Sequence, residues 1–96
     1  MNYIDLHVHS TFSDGTNTPA ELVKLALNAG LSAFALTDHD TTGGIAEAQK
    51  ALADTGACER LRVIPGVEIS AAYKDRDIHI LGLLINPENP ALSEAL

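Results

Sequence analysis

The chain has 96 residues, of which 46% are hydrophobic and 20% charged, a balance that fits one folded domain and excludes a disordered tail. Thirteen acidic against six basic side chains give a net charge of −7, which excludes a surface that holds nucleic acid stably by charge alone. One cysteine, Cys58, excludes a disulfide framework or a thiolate-rich zinc site, and no run reaches the roughly 20 apolar residues of a membrane span, so a cytoplasmic address is expected.

The opening YIDLHVH alternates as a strand does, which predicts Ile4, Leu6 and Val8 on one face and Asp5, His7 and His9 on the other. A polar loop, STFSDGTN, follows. TPAELVKLALNAG then carries the marks of a helix: Thr18 as N-cap, Pro19 in the first position, Glu21 completing a capping box and Gly30 as the stop. Its predicted inward stripe is Leu22, Leu25, Ala26 and Ala29. LSAFALTDHD is apolar on both sides until it ends in charge, as a strand covered on both faces would be. A second helix is expected from Gly44 to Thr55, with Ile45, Ala48 and Leu52 inward and Gly56 ending it. LRVIPGVEIS and DIHILGLLI read as two further strands, the first bent at Pro65 and Gly66, and NPALSEAL as the start of a third helix capped by Asn89 and opened by Pro90. Alternation of strands and helices predicts an α/β fold with a parallel sheet.

The four histidines carry the chemistry. His7, His9, His39 and His79 fall on predicted strands or just after them, beside Asp14, Asp38, Asp40 and Glu68. In a parallel α/β sheet the carboxyl ends of the strands form one rim, so distant segments can deliver side chains to one place. Residues two apart on a strand share a face, which lets His7 and His9 close on one ion, and Asp14 can reach the same region from the loop. Glu68 is placed to bridge two ions with its two oxygens, and His39 enters from a turn. A lone strand histidine such as His79 is more often hydrogen-bonded or exposed than a ligand; the joint occurrence of imidazoles and carboxylates is what points to a metal centre. Of Asp38 and Asp40, one can orient a histidine from outside the ligand set and the other can cap the following helix. Asp5, expected on the His7 and His9 face, offers either such an outer contact or a buried hydrogen bond. Gly43 and Gly44 fit either a phosphate at a helix N-terminus or simple turn geometry. Cys58, remote in sequence from every candidate ligand, is read as inert.

DLHVHSTFSDGTNTP, ALTDHDT, GVEIS and DIHILG, taken in order, resemble the successive motifs of the PHP (polymerase and histidinol phosphatase) superfamily, in particular its metal-dependent phosphoesterases of the nucleotide phosphatase and RNA-trimming exonuclease group. The resemblance runs from Tyr3 to Asn86. It implies the N-terminal part, about four strands, of a distorted (β/α)7 TIM-like barrel, with two or three divalent ions (manganese, zinc or iron) and hydrolysis of phosphate esters by water activated on ions held by His7, His9 and Glu68. By the same resemblance His7 and His9 bind the first ion, Glu68 bridges the first and second, His79 binds the second, and Asp14 and His39 bind a third. Nitrogen and oxygen donors without thiolate suit these metals without choosing among them.

The family completes its site with ligands from a second half of the barrel, including a late Asp-x-His pair, and barrels of this type need about 200 residues or more. Residues 1–96 are therefore expected to be the N-terminal portion of one such domain. The implied substrate is small and phosphorylated, a nucleotide or short RNA. The alternatives are a metal-binding or interaction module without turnover, an enzyme like histidinol-phosphate phosphatase, and, for the 96 residues alone, association of two copies through open sheet edges.

Overall fold

The computed structural model describes residues 3–73, 76–87 and 89. Their elements run β1 (Tyr3–Val8), α1 (Pro19–Ala29), β2 (Leu31–Leu36), α2 (Ile45–Thr55), β3 (Arg62–Tyr73) and β4 (Arg76–Leu83), and the strands form one sheet in the order β1-β2-β3-β4. The mixed α/β architecture follows the sequence expectation. The third helix expected from Pro90 onward lies outside the described residues.

Local signals fix both helices. Thr18 caps α1 and accepts the Glu21 N–H at 3.1 Å, while the Glu21 carboxylate accepts the Thr18 N–H at 2.8 Å, so two otherwise orphaned donors are satisfied reciprocally. Gly30, at φ 75°, takes the left-handed position that ends the helix, and Gly56, at φ 72°, does the same for α2. The buried face of α2 is Ile45, Ala48 and Leu52, as its spacing predicts.

The inward face of α1 keeps Leu22 and Ala26 of the predicted stripe but not Leu25 and Ala29. Pro19, Val23 and Ala26 are buried, whereas Leu25 is half exposed. Leu22, Leu25, Ala26 and Ala29 line a groove against β1, together with Val8, Leu31 and Phe34. The helix has two apolar faces, and the periodicity alone does not say which meets the core. That core joins Val23 and Ala26 to Phe34 and Leu36 of β2, Ile45, Ala48 and Leu52 of α2, and Leu61 and Val63 at the start of β3. Residues Ala33 to Leu36 are buried, as their apolar run requires for the sheet's interior strand.

Two strand expectations need correction. β1 pairs with β2 in parallel, but the register slips between Asp5 and Val8, where three steps along β1 match two along β2. A slip of one residue reverses the alternation, so Asp5 lines the same α1 groove as Val8 and leaves the His7 and His9 face. The second correction concerns direction. β2 and β3 are parallel, yet β4 runs antiparallel to β3 from Gly66↔Leu83 to Tyr73↔Arg76. The connection between Tyr73 and Arg76 is far shorter than the dozen or so residues a parallel crossover needs.

β3 changes partner at the predicted bend: Pro65 is the last residue paired with β2 and Gly66 the first paired with β4. A Cβ at Gly66 would lie 2.7 Å from Thr37 Cγ2 and 2.8 Å from the Gly82 carbonyl oxygen, so only glycine lets three strands meet there. No helix among the described residues is long and apolar enough to cross a membrane.

Candidate metal centre

The end of β1, the loop after it, the turn after β2 and the β3–β4 hairpin bring their polar side chains to one place. Backbone pairing continues past the named strands to hold them: Thr37 N–H donates to Val8 O at 2.8 Å, Glu68 N–H to Asp38 O at 3.0 Å, and Asp40 N–H to Glu68 O at 2.9 Å. His39 and Glu68 are thereby set side by side as a parallel bridge. His79 stands opposite Ser70, which puts it diagonal to Glu68 on one sheet face. The rim expected from strand ends therefore holds for His7, His9 and His39, while Glu68 and His79 come from within the hairpin.

Glu68 is the hub. Its Oε1 contacts His7 Nε2 and lies 3.1 Å from His9 Nε2; its Oε2 lies 2.6 Å from His79 Nδ1 and 3.3 Å from His39 Nδ1. Asp14 completes the other side, with Oδ1 2.7 Å from His9 Nδ1 and Oδ2 3.3 Å from His39 Nε2. All six ligand candidates named from the sequence are thus brought together. They fall into three groups, each with donor atoms within 4.8 Å of one another: His7, His9 and Glu68; His9, Asp14 and His39; His39, Glu68 and His79.

The donor chemistry fits cations. His7 Nε2 and His9 Nε2 face each other at 3.2 Å, and two nitrogens each about 2.0–2.1 Å from one tetrahedral ion stand about 3.4 Å apart. Burial pushes the Glu68 carboxyl up, but hydrogen bonds with His7, His79 and His9 and the charge of His39 outweigh it and hold the group at about 2. For Asp14 desolvation raises the carboxyl, and the hydrogen bond with His9 and the charges of His9 and His39 bring it below its usual range. Both carboxylates are anionic near neutral pH, as ligands must be. The Glu68 side chain is only 6% exposed, whereas those of His7, His79 and Asp14 are 56%, 50% and 63% exposed, so the cluster is rooted in the fold and open on one side.

The outer residues behave differently from expectation. Asp38, 2% exposed, orients no histidine ring: its Oδ1 accepts the Ser10 N–H at 2.5 Å and the Ser13 hydroxyl at 2.8 Å, and its Oδ2 accepts the Ser10 hydroxyl at 2.7 Å. Asp40 does not cap α2, whose N-cap is Gly44 without a side-chain bond. Held at φ 54°, Asp40 accepts the Ser70 N–H at 2.8 Å, a bond that lowers its pKa. Asp5 accepts the His7 backbone N–H at 3.1 Å. Gly43 and Gly44 give room to the Phe12 ring, 3.1 to 3.2 Å from where their Cβ atoms would be, and Gly44 also to Pro19; packing thus supplies the reason for them.

Sequence reasoning missed Ser10, Ser13 and Gly15. Gly15 lets the loop fold back on β1, because a Cβ there would lie 2.3 Å from the His9 carbonyl oxygen. The available signal was a run of short hydroxyl side chains between two candidate ligands, the usual composition of a loop that ties itself to a carboxylate.

Comparison with known proteins identifies the family. The PHP domain model matches residues 5–91, and the chain belongs to that family. It is 45% identical over 92 residues to the 5′-3′ exoribonuclease Rnm of Escherichia coli, covering 96% of this chain and 31% of that protein. It is equally identical, over 96 residues, to the 3′,5′-nucleoside bisphosphate phosphatase of Chromobacterium violaceum, covering all of this chain and 32% of that one. A solved structure from Bifidobacterium adolescentis, assigned as a metal-dependent phosphoesterase, superposes with a TM-score of 0.84 at 40% identity, over 97% of this chain and 31% of its own. The chain spans about a third of the length of these relatives.

Proposed function

We propose that the protein is a metal-dependent phosphoesterase of the cytoplasm, acting on nucleotides or nucleic-acid ends, and that residues 1–96 are the N-terminal portion of one PHP domain. The observation that carries this reading is Glu68, whose two oxygens each meet two histidines: His7 and His9 from the end of β1 on one, His39 and His79 from two further segments on the other. A buried carboxylate with that surround is the bridging ligand of a multinuclear site. His7, His9 and Glu68 would hold one ion, Glu68, His39 and His79 a second, and Asp14, His9 and His39 a third. Divalent manganese, zinc or iron there supplies positive charge for a phosphoryl group and lowers the pKa of water for in-line attack.

The chain's own residues bind and orient. Glu68 and Asp14 stay ionised, the four imidazoles converge from three segments, and the exposed sides of His7 and His79 leave an approach for substrate. The loop hydroxyls are not nucleophiles in this reading: Ser10 is fully buried, and both Ser10 and Ser13 donate to Asp38. The domain assignment is supported by β1, an edge strand with Ile4 and Leu6 60% and 45% exposed beside the α1 groove, a surface suited to further strands and helices of a barrel. For the 96 residues alone we propose metal binding without turnover, because the resemblance places the remaining ligands, a late Asp-x-His pair among them, in the second half of the barrel.

The test is hydrolysis of an aryl phosphate, with added manganese, by a preparation carrying the whole barrel. Turnover that disappears in Glu68→Gln is expected. Absence of turnover on aryl, nucleoside and bisphosphate substrates overturns the enzymatic reading.

A further inference from the structure

Among the described residues, the Asp38 carboxylate and the serines it binds make no hydrogen bond to a histidine ring, yet they fasten the loop that carries Asp14. Asp14 is held by the loop between β1 and α1, and that loop is fastened by the Ser10 N–H, the Ser10 hydroxyl and the Ser13 hydroxyl, all donating to Asp38. The Ser10 hydroxyl oxygen in turn accepts the Phe12 N–H at 3.1 Å, and the Ser10 carbonyl accepts the N–H groups of Ser13 and Gly15 at 3.1 and 2.9 Å. The residue next to Ser13 is Asp14 itself. By contrast, Glu68 is fixed through the Asp38 backbone carbonyl, and its contacts with His7 and His79 do not pass through the loop. The Asp38 side chain and main chain therefore support different parts of the cluster.

We propose that Asp38, acting through Ser13 and Ser10, is a positioning residue selective for the cation held by His9, Asp14 and His39, and that the two groups sharing Glu68 do not depend on it. The inference rests on the metal-centre reading above. A buried carboxylate receiving three hydrogen bonds holds the loop in its ligating shape before any ion arrives, so the ion need not order Asp14 on binding. Removing the Ser13 hydroxyl frees the residue beside Asp14 and also removes its long, 3.5 Å contact with Asp14 Oδ1, while it leaves the sheet and the Glu68 contacts untouched.

The experiment is a manganese titration of the 96-residue chain by calorimetry, with electron paramagnetic resonance of the bound ion, for wild type, Ser13→Ala, Ser13→Thr and Asp38→Asn. Ser13→Ala should weaken one class of site about 10- to 100-fold, the usual effect of losing an outer hydrogen bond, and leave the others at wild-type affinity. Ser13→Thr, which keeps the hydroxyl, should restore it. Asp38→Asn should weaken the same class, since an amide can accept only on its oxygen side. Uniform weakening of all classes, or unchanged binding in a folded Ser13→Ala protein, overturns the selective role; should Asp38→Asn fail to fold, the Ser13 pair still decides. A wild-type chain that binds no manganese would instead overturn the metal-centre reading itself.

Discussion

His7 Nε2 and His9 Nε2 stand 3.2 Å apart and share Oε1 of Glu68. Two ring nitrogens and one carboxylate oxygen at these separations match the donors that a single divalent cation would take. Elemental analysis of His7→Ala against wild type should therefore give less metal per chain. Unchanged stoichiometry would remove His7 from the ligand set.

Glu68→Gln should have a larger effect than His7→Ala. Glu68 belongs to two of the three donor groups and His7 to one, and the amide removes the negative charge on which both depend. Two classes of site should be lost in the same titration, with the group of Asp14, His9 and His39 retained. Equal losses from the two variants would show that Glu68 serves one ion only.

Val23 and Leu25 separate the two apolar faces of α1. Val23 is fully buried and Leu25 half exposed. Val23→Ala should cost about 2 kcal/mol, the transfer of two methyl groups plus a cavity, while Leu25→Ala should stay within about 0.5 kcal/mol. Urea denaturation of both variants checks this, and the reverse order would restore the stripe predicted from spacing.

Much of the fold was legible in the sequence because its signals are local. The Thr18 and Glu21 box, the two terminal glycines and the Ile45, Ala48 and Leu52 stripe depend on neighbours within a few residues. The phase of α1 was not legible, because Leu25 and Ala29 repeat as well as Pro19 and Val23, and only the positions of α2 and β2, on which α1 packs, choose between them. Nor was the face of Asp5: no glycine or proline marks the slip between Asp5 and Val8. The short link before Arg76 did contain the antiparallel direction of β4. Within the site, the residue types that converge could be named, but the partners of Asp38 and Asp40 could not, since those are backbone and hydroxyl groups brought near by tertiary structure.

Gly15 tests the loop sterically. Gly15→Ala would place a methyl 2.3 Å from the His9 carbonyl oxygen and 2.6 Å from its carbon, both backbone atoms that cannot swing aside. A loss of about 1–3 kcal/mol is expected from such crowding, measured by thermal or urea unfolding. A variant as stable as wild type would mean that the loop lies further from β1 than described.

The capping box of α1 gives a pH dependence away from the metal centre. Thr18→Ala should destabilise the chain by about 1 kcal/mol at neutral pH. The Glu21 carboxyl is held below its ordinary 4.5, first by the Thr18 N–H. Its folded pKa lies below the unfolded one, so its contribution is present above pH 4.5 and is lost as pH falls through the lowered value. Glu21→Gln should flatten that acid-side loss of urea stability, and an unchanged profile would show the box to be open in solution.

The hairpin of β3 and β4 also bears on the order in which the chain gathers itself. His79 is 11 residues from Glu68, and His7 is 61. Bringing the nearer pair together is cheaper in loop entropy by about 1.5 kcal/mol. A refolding chain would therefore bring Glu68 to His79 in this local ribbon before it brings Glu68 to His7.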